Sequence, residues 1–378
     1  MEAKETENFF KKEIYMQKII SAIFILIFGI SVFGCGTDTQ EKNSQPVEEK
    51  NISAENNPDD VKVSEEKNKP VEPFKPVVIS FAGDCTLGTF LGSDNAFESY
   101  WKYGAEYYLG NVKSIFAADD VTFVNLEGPL TKNPQTLVDK QFPMRGEPKY
   151  VDILKVASVE ICNLSNNHIY DCGEIGFQDT VDLLKANDIK FCGEGFFDVI
   201  EVRGMKIGFL GYQGWYDEPS LREKISADIK KLREDKKAEI VIVEFHWGIE
   251  RDYFGIEDQR TLAHFTIDSG ADIVVGSHAH VLQGIEIYND KLIAYGLGNF
   301  CFGANNNPSD KDTMILQTTL DRQDGKISIA TKVIPCRISS TNAYNDFCPT
   351  PVEGYEAERI LNKISKSSSI FPQTIKFQ

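Results

Sequence analysis

Basic residues are scarce relative to acidic ones: 40 Lys and Arg face 57 Asp and Glu, for a formal net charge of −17. That deficit argues against a protein that binds nucleic acid by neutralising phosphates. It also opposes tight binding of a polyanion unless a metal ion or a local basic patch reverses the field. Among eight cysteines no two are spaced CxxC, so neither a zinc ribbon nor a thioredoxin-type redox motif is supported. Most of these cysteines read as small buried hydrophobes. Long apolar runs are absent apart from one near the N-terminus, which rules out a multi-span transporter. No internal repeat is present. What is there, 378 residues with 42% hydrophobic and 11% aromatic composition, describes a globular protein with a sizeable core.

The single apolar run is Ile19 to Phe33, IISAIFILIFGISVF, preceded by Lys11, Lys12 and Lys18. It falls short of the roughly 20 residues of a transmembrane helix and suits the apolar centre of an export signal. Val32-Phe33-Gly34-Cys35 at its end resembles a bacterial lipobox, whose Cys is acylated and becomes the mature first residue. Residues 1–35 are therefore expected to be a lipoprotein signal peptide, with Met16 as an alternative start. The other reading is an uncleaved anchor helix. Both place the rest of the chain outside the cytoplasm and tie it to the membrane, in the first case through lipid on Cys35. Residues 36–75 are rich in Glu, Lys, Asn, Ser and Pro. With so few large apolar side chains they cannot offset their ordering entropy, and they read as a disordered tether.

From Pro76 the pattern changes. Short apolar, β-branched runs at Val77–Ala82, Val121–Leu126, Val159–Leu164, Lys190–Cys192, Lys206–Leu210, Ile240–Phe245 and Ile273–Val275 read as buried strands. Helical patterns fall between several of them, at Lys149–Ala157, Ile175–Ala186, Ser220–Lys236 and Asp258–Ser269. This alternation is α/β architecture. After Ala279 the reading turns strand-rich, with Val281–Tyr288, Lys291–Leu297, Thr313–Leu320 and Ile327–Pro335, as for a second sheet packed on the first. We expect one domain over 76–340, then a tail over 341–378 with a helix, Glu353–Ile364, packing on it.

Polar residues gather where those strands end. Asp84, Glu127, Asn166-Asn167-His168, His246 and His278-Ala279-His280 each follow closely on a predicted strand, and they hold four of the chain's five histidines. In open α/β sheets the loops at the carboxyl ends of strands converge on the ligand site. Imidazole nitrogens combined with carboxylate and amide oxygens, without thiolate, suit a divalent Mn, Fe or Zn ion. Singly, each residue has an ordinary explanation as a turn, a cap or a satisfied core histidine; together they point to a metal or catalytic site.

In this order, Gly83-Asp84, Asn125-Leu126-Glu127, Asn166-Asn167-His168, His246-Trp247-Gly248 and Gly276-Ser277-His278-Ala279-His280 resemble the CapA family. These are bacterial proteins of poly-γ-glutamate capsule synthesis, in the calcineurin-like metallophosphoesterase superfamily. Gly270-Ala271-Asp272, Gln283 and Leu297-Gly298-Asn299-Phe300 extend the resemblance, which spans about Val77 to Phe302. It implies a four-layer αββα sandwich of the metallophosphoesterase type. It implies that Asp84 and His280 bind a first metal, that Glu127 bridges, and that Asn167, His246 and His278 complete a second site. His168 would be the general acid near the leaving group, oriented by Asp171. Arg145, Arg251, Asn166, Gln283 and Asn299 are candidates to hold an anionic substrate.

Three positions depart from the superfamily pattern. Thr86 stands where a His is usual, Glu127 replaces a shorter Asp, and Ala279 replaces a Pro. A one-metal or uneven two-metal centre is expected from them. The function implied is a cell-surface, metal-dependent hydrolase of capsule or envelope polymer metabolism, using a metal-activated water on an anionic polymer and working with capsule synthesis machinery. The alternatives are a general phosphatase or nucleotidase acting on phosphoesters, and a non-catalytic polymer-binding lipoprotein with a degenerate metal site.

Overall fold

The computed structural model describes residues 74–133 and 140–377. The signal peptide, Met16, Cys35 and the tether through residue 73 lie outside the described residues.

Strands, numbered along the chain, form two large sheets. The first has a parallel core of β1 (Val77–Thr86), β3 (Val121–Leu126), β5 (Ile161–Asn163) and β6 (Lys190–Cys192), in that spatial order. A separate ribbon joins β2 (Thr89–Phe90) to β4 (Met144–Arg145). The second sheet has parallel central strands β8 (Met205–Gly214), β9 (Ile240–Trp247), β10 (Ile273–Ser277) and β12 (Lys291–Ala294). Its edges, β7 (Asp198–Val202) and β11 (Ile285–Tyr288), are antiparallel.

The strand-rich second half is not one sheet, as the sequence had suggested. It is divided. The two strands β11 and β12 complete the second sheet, whereas β14 (Asp312–Gln323) runs antiparallel along β1 from Val77↔Leu320 to Ala82↔Ile315. Its hairpin partner β15 (Lys326–Arg337) and the short β16 (Thr350–Pro351) continue the first sheet outward. Where β14 leaves β1, β13 (Asn299–Phe302) takes over beside Asp84 and Thr86. The physical reason is the open edge of β1: its unpaired N–H and C=O groups need a partner, and the β14–β15 hairpin supplies one.

Strand alternation sorts side chains into three apolar layers. Val77, Ile79 and Phe81 of β1 meet Ile207, Phe209, Ile240, Ile242, Ile273 and Val275 of the second sheet in a layer between the sheets. The opposite face of the first sheet, with Ala82, Val124 and Leu126, packs on Leu154 and on Phe177, Val181 and Leu184 of the helix Gly173–Ala186. The opposite face of the second sheet, with Val241, Val243 and Phe245, covers Ile225, Ile229 and Leu232 of the helix Pro219–Glu234 and Leu262 of the helix Glu257–Asp268. Helix, sheet, sheet, helix is the four-layer αββα sandwich that the resemblance implied. Each fully buried Ile or Leu stabilises it by roughly 1.5–3 kcal/mol. The helix Gly354–Ser368 adds Ile360 and Ile364 to the layer between the sheets.

Element ends differ from the sequence reading where backbone geometry intervenes. The expected strand Val281–Tyr288 starts only at Ile285, because the chain after β10 turns through positive φ at His278 (85°) and His280 (55°). The half-exposed β7 is a strand that the sequence reading lacks, since its residues carry no buried apolar run.

Candidate metal centre

The same alternation that builds the core builds the site. Along β9 the residues Ile240, Ile242, Glu244 and His246 share one face, so the layer between the sheets passes from aliphatic to polar toward the carboxyl ends. Asn125 on β3, Asn163 on β5 and Ser277 on β10 follow the same rule. Asp84 is brought to this end by an irregularity of β1, whose register with β3 shifts between Ala82 and Asp84. Bulges of this kind re-aim side chains next to active sites. Gly83 permits it: a Cβ there would sit 1.8 Å from the Gly298 carbonyl oxygen.

Asp84, Glu127 and His280 offer donor atoms that all lie within 4.8 Å of one another. The Nε2 of His246 is 3.7 Å and that of His280 3.9 Å from Glu127 Oε1. Asn167 Oδ1 lies 2.8 Å and His278 Nδ1 3.2 Å from His246 Nε2. All six expected ligands are therefore in one cluster, though only Asp84, Glu127 and His280 form a compact triad among the described residues. His278 and His280 both hold left-handed backbone, a strain of about 1–3 kcal/mol each that the surrounding structure must enforce.

Whether these residues fit a cation is decided by Glu127. Its side chain is buried, and Oε1 is a buried oxygen with no hydrogen-bond partner, facing the imidazole nitrogens. Oε2, by contrast, accepts the Thr86 hydroxyl at 2.8 Å. A buried orphan carboxylate oxygen is costly unless a cation meets it. With two carboxylates, imidazoles and an amide oxygen around it, the pocket fits a divalent ion.

The electrostatics of the pocket agree. Burial pushes the Glu127 carboxyl up, Asp84 pushes it further, and His280 partly opposes them. Burial, followed by the charge of the neighbouring histidines, drives His246 well below the ordinary imidazole range, and His278 down to about 3. Burial also works against a proton on His280, yet Glu127 and Asp84 outweigh it and hold His280 at about 10. Two neutral imidazoles are thus available as ligands, and the third carries a proton in the place where positive charge is wanted.

Outer partners fix these side chains. Asn125 donates to Asp84 Oδ1 at 2.7 Å, Ser277 Oγ lies 2.9 Å from His246 Nδ1, and Asn299 Oδ1 lies 2.8 Å from His280 Nδ1. Trp215 stands edge-on to His278 with ring centroids 4.6 Å apart. Such partners set tautomer and orientation, so that the Nε2 atoms of His246 and His280 face Glu127.

His168 stands beside this cluster, following Asn167. Its Nδ1 lies 2.6 Å from Asp171 Oδ2, which also accepts the Met144 backbone N–H at 2.6 Å. Asp171 is therefore placed as the expected orienting carboxylate. Lys140 is an addition to the expected set. Its ammonium pairs with Asp171 Oδ1 at 2.5 Å, donates to the Asn167 carbonyl and comes within 3.1 Å of His168 Nδ1.

Of the residues expected to hold substrate, Asn299 touches the ring of a site histidine. Asn166 is buried and braces Asn125 and the Leu126 carbonyl. Gln283 is buried between Gln259 and the Asp252 carbonyl. Arg145 pairs with Glu147 at 3.3 Å, and the Arg251 backbone N–H donates to the Ala279 carbonyl at 2.8 Å. Sequence reasoning missed Glu244, Ser277, Trp215 and Lys140. Glu244 and Ser277 had a signal, since each is in step with the site face of its strand; Trp215 and Lys140, on loops, had none.

The carboxylates and imidazoles thus gather at the carboxyl ends of the strands of a two-sheet αββα sandwich, the class of fold and site this chain presents. Residues 78–304 match the model of the bacterial capsule synthesis protein family PGA_cap, and the chain belongs to that family. It is 29% identical to the capsule biosynthesis protein CapA of Bacillus anthracis, over 78% of this chain and 74% of that protein. It is 34% identical to the PGA biosynthesis protein CapA of Bacillus subtilis (strain 168), over 59% of this chain and 62% of that protein. A probable polyglutamine synthesis accessory protein of Mycobacterium tuberculosis is 27% identical over 59% of this chain and 67% of its own length. The crystal structure of TT1561 of Thermus thermophilus overlaps 68% of this chain and 99% of that one at 11% identity and a TM-score of 0.37, too loosely to transfer function.

Proposed function

We propose that this chain is a metal-dependent hydrolase of capsule or envelope polymer metabolism, with poly-γ-glutamate as the substrate class. The observation that carries the reading is the orphan Glu127 Oε1, buried and aimed at His246 and His280. When bound, a divalent ion supplies Lewis-acid chemistry, acidifying a water and stabilising developing oxyanion charge. The chain's own residues do the rest. Asp84, Glu127, Asn167, His246, His278 and His280 are the ligand set. Asp171 holds Nδ1 of His168, which leaves Nε2 to deliver a proton to the departing group. Membership of the capsule synthesis family and the names of the Bacillus relatives support the polymer as substrate. The apolar run ending at Cys35 supports export and lipid anchoring, and Cys35→Ala should release the protein from membranes or leave it unprocessed.

The test is the full-length chain, loaded with Mn, incubated with poly-γ-glutamate and separately with p-nitrophenyl phosphate. Shortening of the polymer, abolished by EDTA, is the expected result. His168→Ala should lower the rate by about 10²–10⁴ while elemental analysis shows the metal retained. Turnover of the phosphoester alone would make the protein a general phosphatase. Polymer binding that survives chelation, without turnover of either probe, would make it a binding protein.

A further inference from the structure

We propose that Thr86 is a positioning residue for the metal centre: its hydroxyl clamps Glu127 Oε2 so that Oε1 alone is presented to the ion. This rests on the metal-centre reading above and adds to it a residue outside the ligand set. The two oxygens of Glu127 have opposite surroundings within one buried carboxylate. Oε2 takes the Thr86 hydroxyl at 2.8 Å, while Oε1 has no partner and faces His246 and His280. Without the clamp the carboxylate is free to rotate about its last side-chain torsion, which is broad and roughly two-fold.

Thr86 is built to hold such a position. Its carbonyl accepts the backbone N–H groups of Gly88 at 3.0 Å and Gly303 at 2.9 Å, and its backbone pairs with Phe302 of β13. Its side chain is buried, and β-branching restricts its χ1. The hydroxyl is therefore fixed by the sheet rather than by the ligand it serves. Partners of this kind typically change metal affinity by about 10–100-fold when removed.

The experiment compares Mn affinity of the full chain with that of Thr86→Val and Thr86→Ser, by calorimetric titration of Mn alone. Melting in EDTA reports folding of each variant. Valine keeps the shape of threonine and loses the hydroxyl; serine keeps the hydroxyl. The expected result is about 10–100-fold weaker binding by Thr86→Val and restoration to within a few-fold by Thr86→Ser. Unchanged or tighter binding by a folded Thr86→Val, or equal losses in both variants, overturns the clamp and leaves the metal centre standing. If the unsubstituted chain takes up no Mn, the metal centre itself fails and the clamp with it.

Discussion

The affinity of this chain for Mn should rise about tenfold for each pH unit from roughly 6.5 to 8.5, with close to one proton released per ion at neutral pH. The cause is His280, whose pKa stands at about 10 in the folded protein because Glu127 and Asp84 outweigh the effect of its burial. A ligand nitrogen must be unprotonated, so the ion displaces that proton, and it does so more easily as protons become scarce. His246 and His278 contribute nothing to the slope, since both are held below the ordinary range and are already neutral. Calorimetry in two buffers of different ionisation enthalpy measures the proton directly. An affinity independent of pH would remove His280 from the ligand set. The linked effect on the metal-free fold has the opposite sense. His280, with its raised pKa, contributes stability that is complete below about 6.5 and lost as pH rises through about 10.

Glu127→Gln should act in opposite directions on the two forms of the protein. Metal affinity should fall by about 100-fold or more, because the substitution removes one of the two carboxylates of the triad. The metal-free protein should become more stable at neutral pH, by about 1–3 kcal/mol, because a buried carboxylate repelled by Asp84 is replaced by a neutral amide. The amide oxygen can still accept the Thr86 hydroxyl, which now serves Oε2. Melting in EDTA and in Mn reads both effects: the variant melts a few degrees higher in the first and gains less from the second. A lower melting temperature in EDTA would mean that His280 and Thr86 already satisfy Glu127 without a cation. Stability given up at a site for the sake of its ligand is a common compromise in functional proteins.

Much of this was legible in the chain because the strands here are short-range objects. Ile240, Ile242, Glu244 and His246 alternate with Val241, Val243 and Phe245, and that period of two already puts the carboxylate and the imidazole on one face. Polar residues at strand ends pointed to a metal or catalytic site, the resemblance supplied the six expected ligands, and the fold brings those side chains into one cluster. What could not be read was set by partners distant in sequence. Nothing in Thr313–Leu320 says that it joins β1 rather than the second sheet; the pairing of Ala82 with Ile315 decides that. The role of Thr86 depends on Glu127, and that of Lys140 on Asp171, both brought close only by the fold. The re-aiming of Asp84 depends on a close approach of Gly83 to Gly298 that no local pattern announces.

The pairing of β1 with β14 also sets a schedule for biosynthesis. The chain completes β3 at Leu126 but does not reach β14 until Asp312. At roughly 5–20 residues per second the ribosome needs on the order of ten to forty seconds to cover that interval. Throughout it the Val77–Ala82 edge has no antiparallel neighbour, and its hydrogen-bonding row is open to any other strand. Until β14 emerges, that edge is an open template on the nascent chain, and β14 is the segment that closes it.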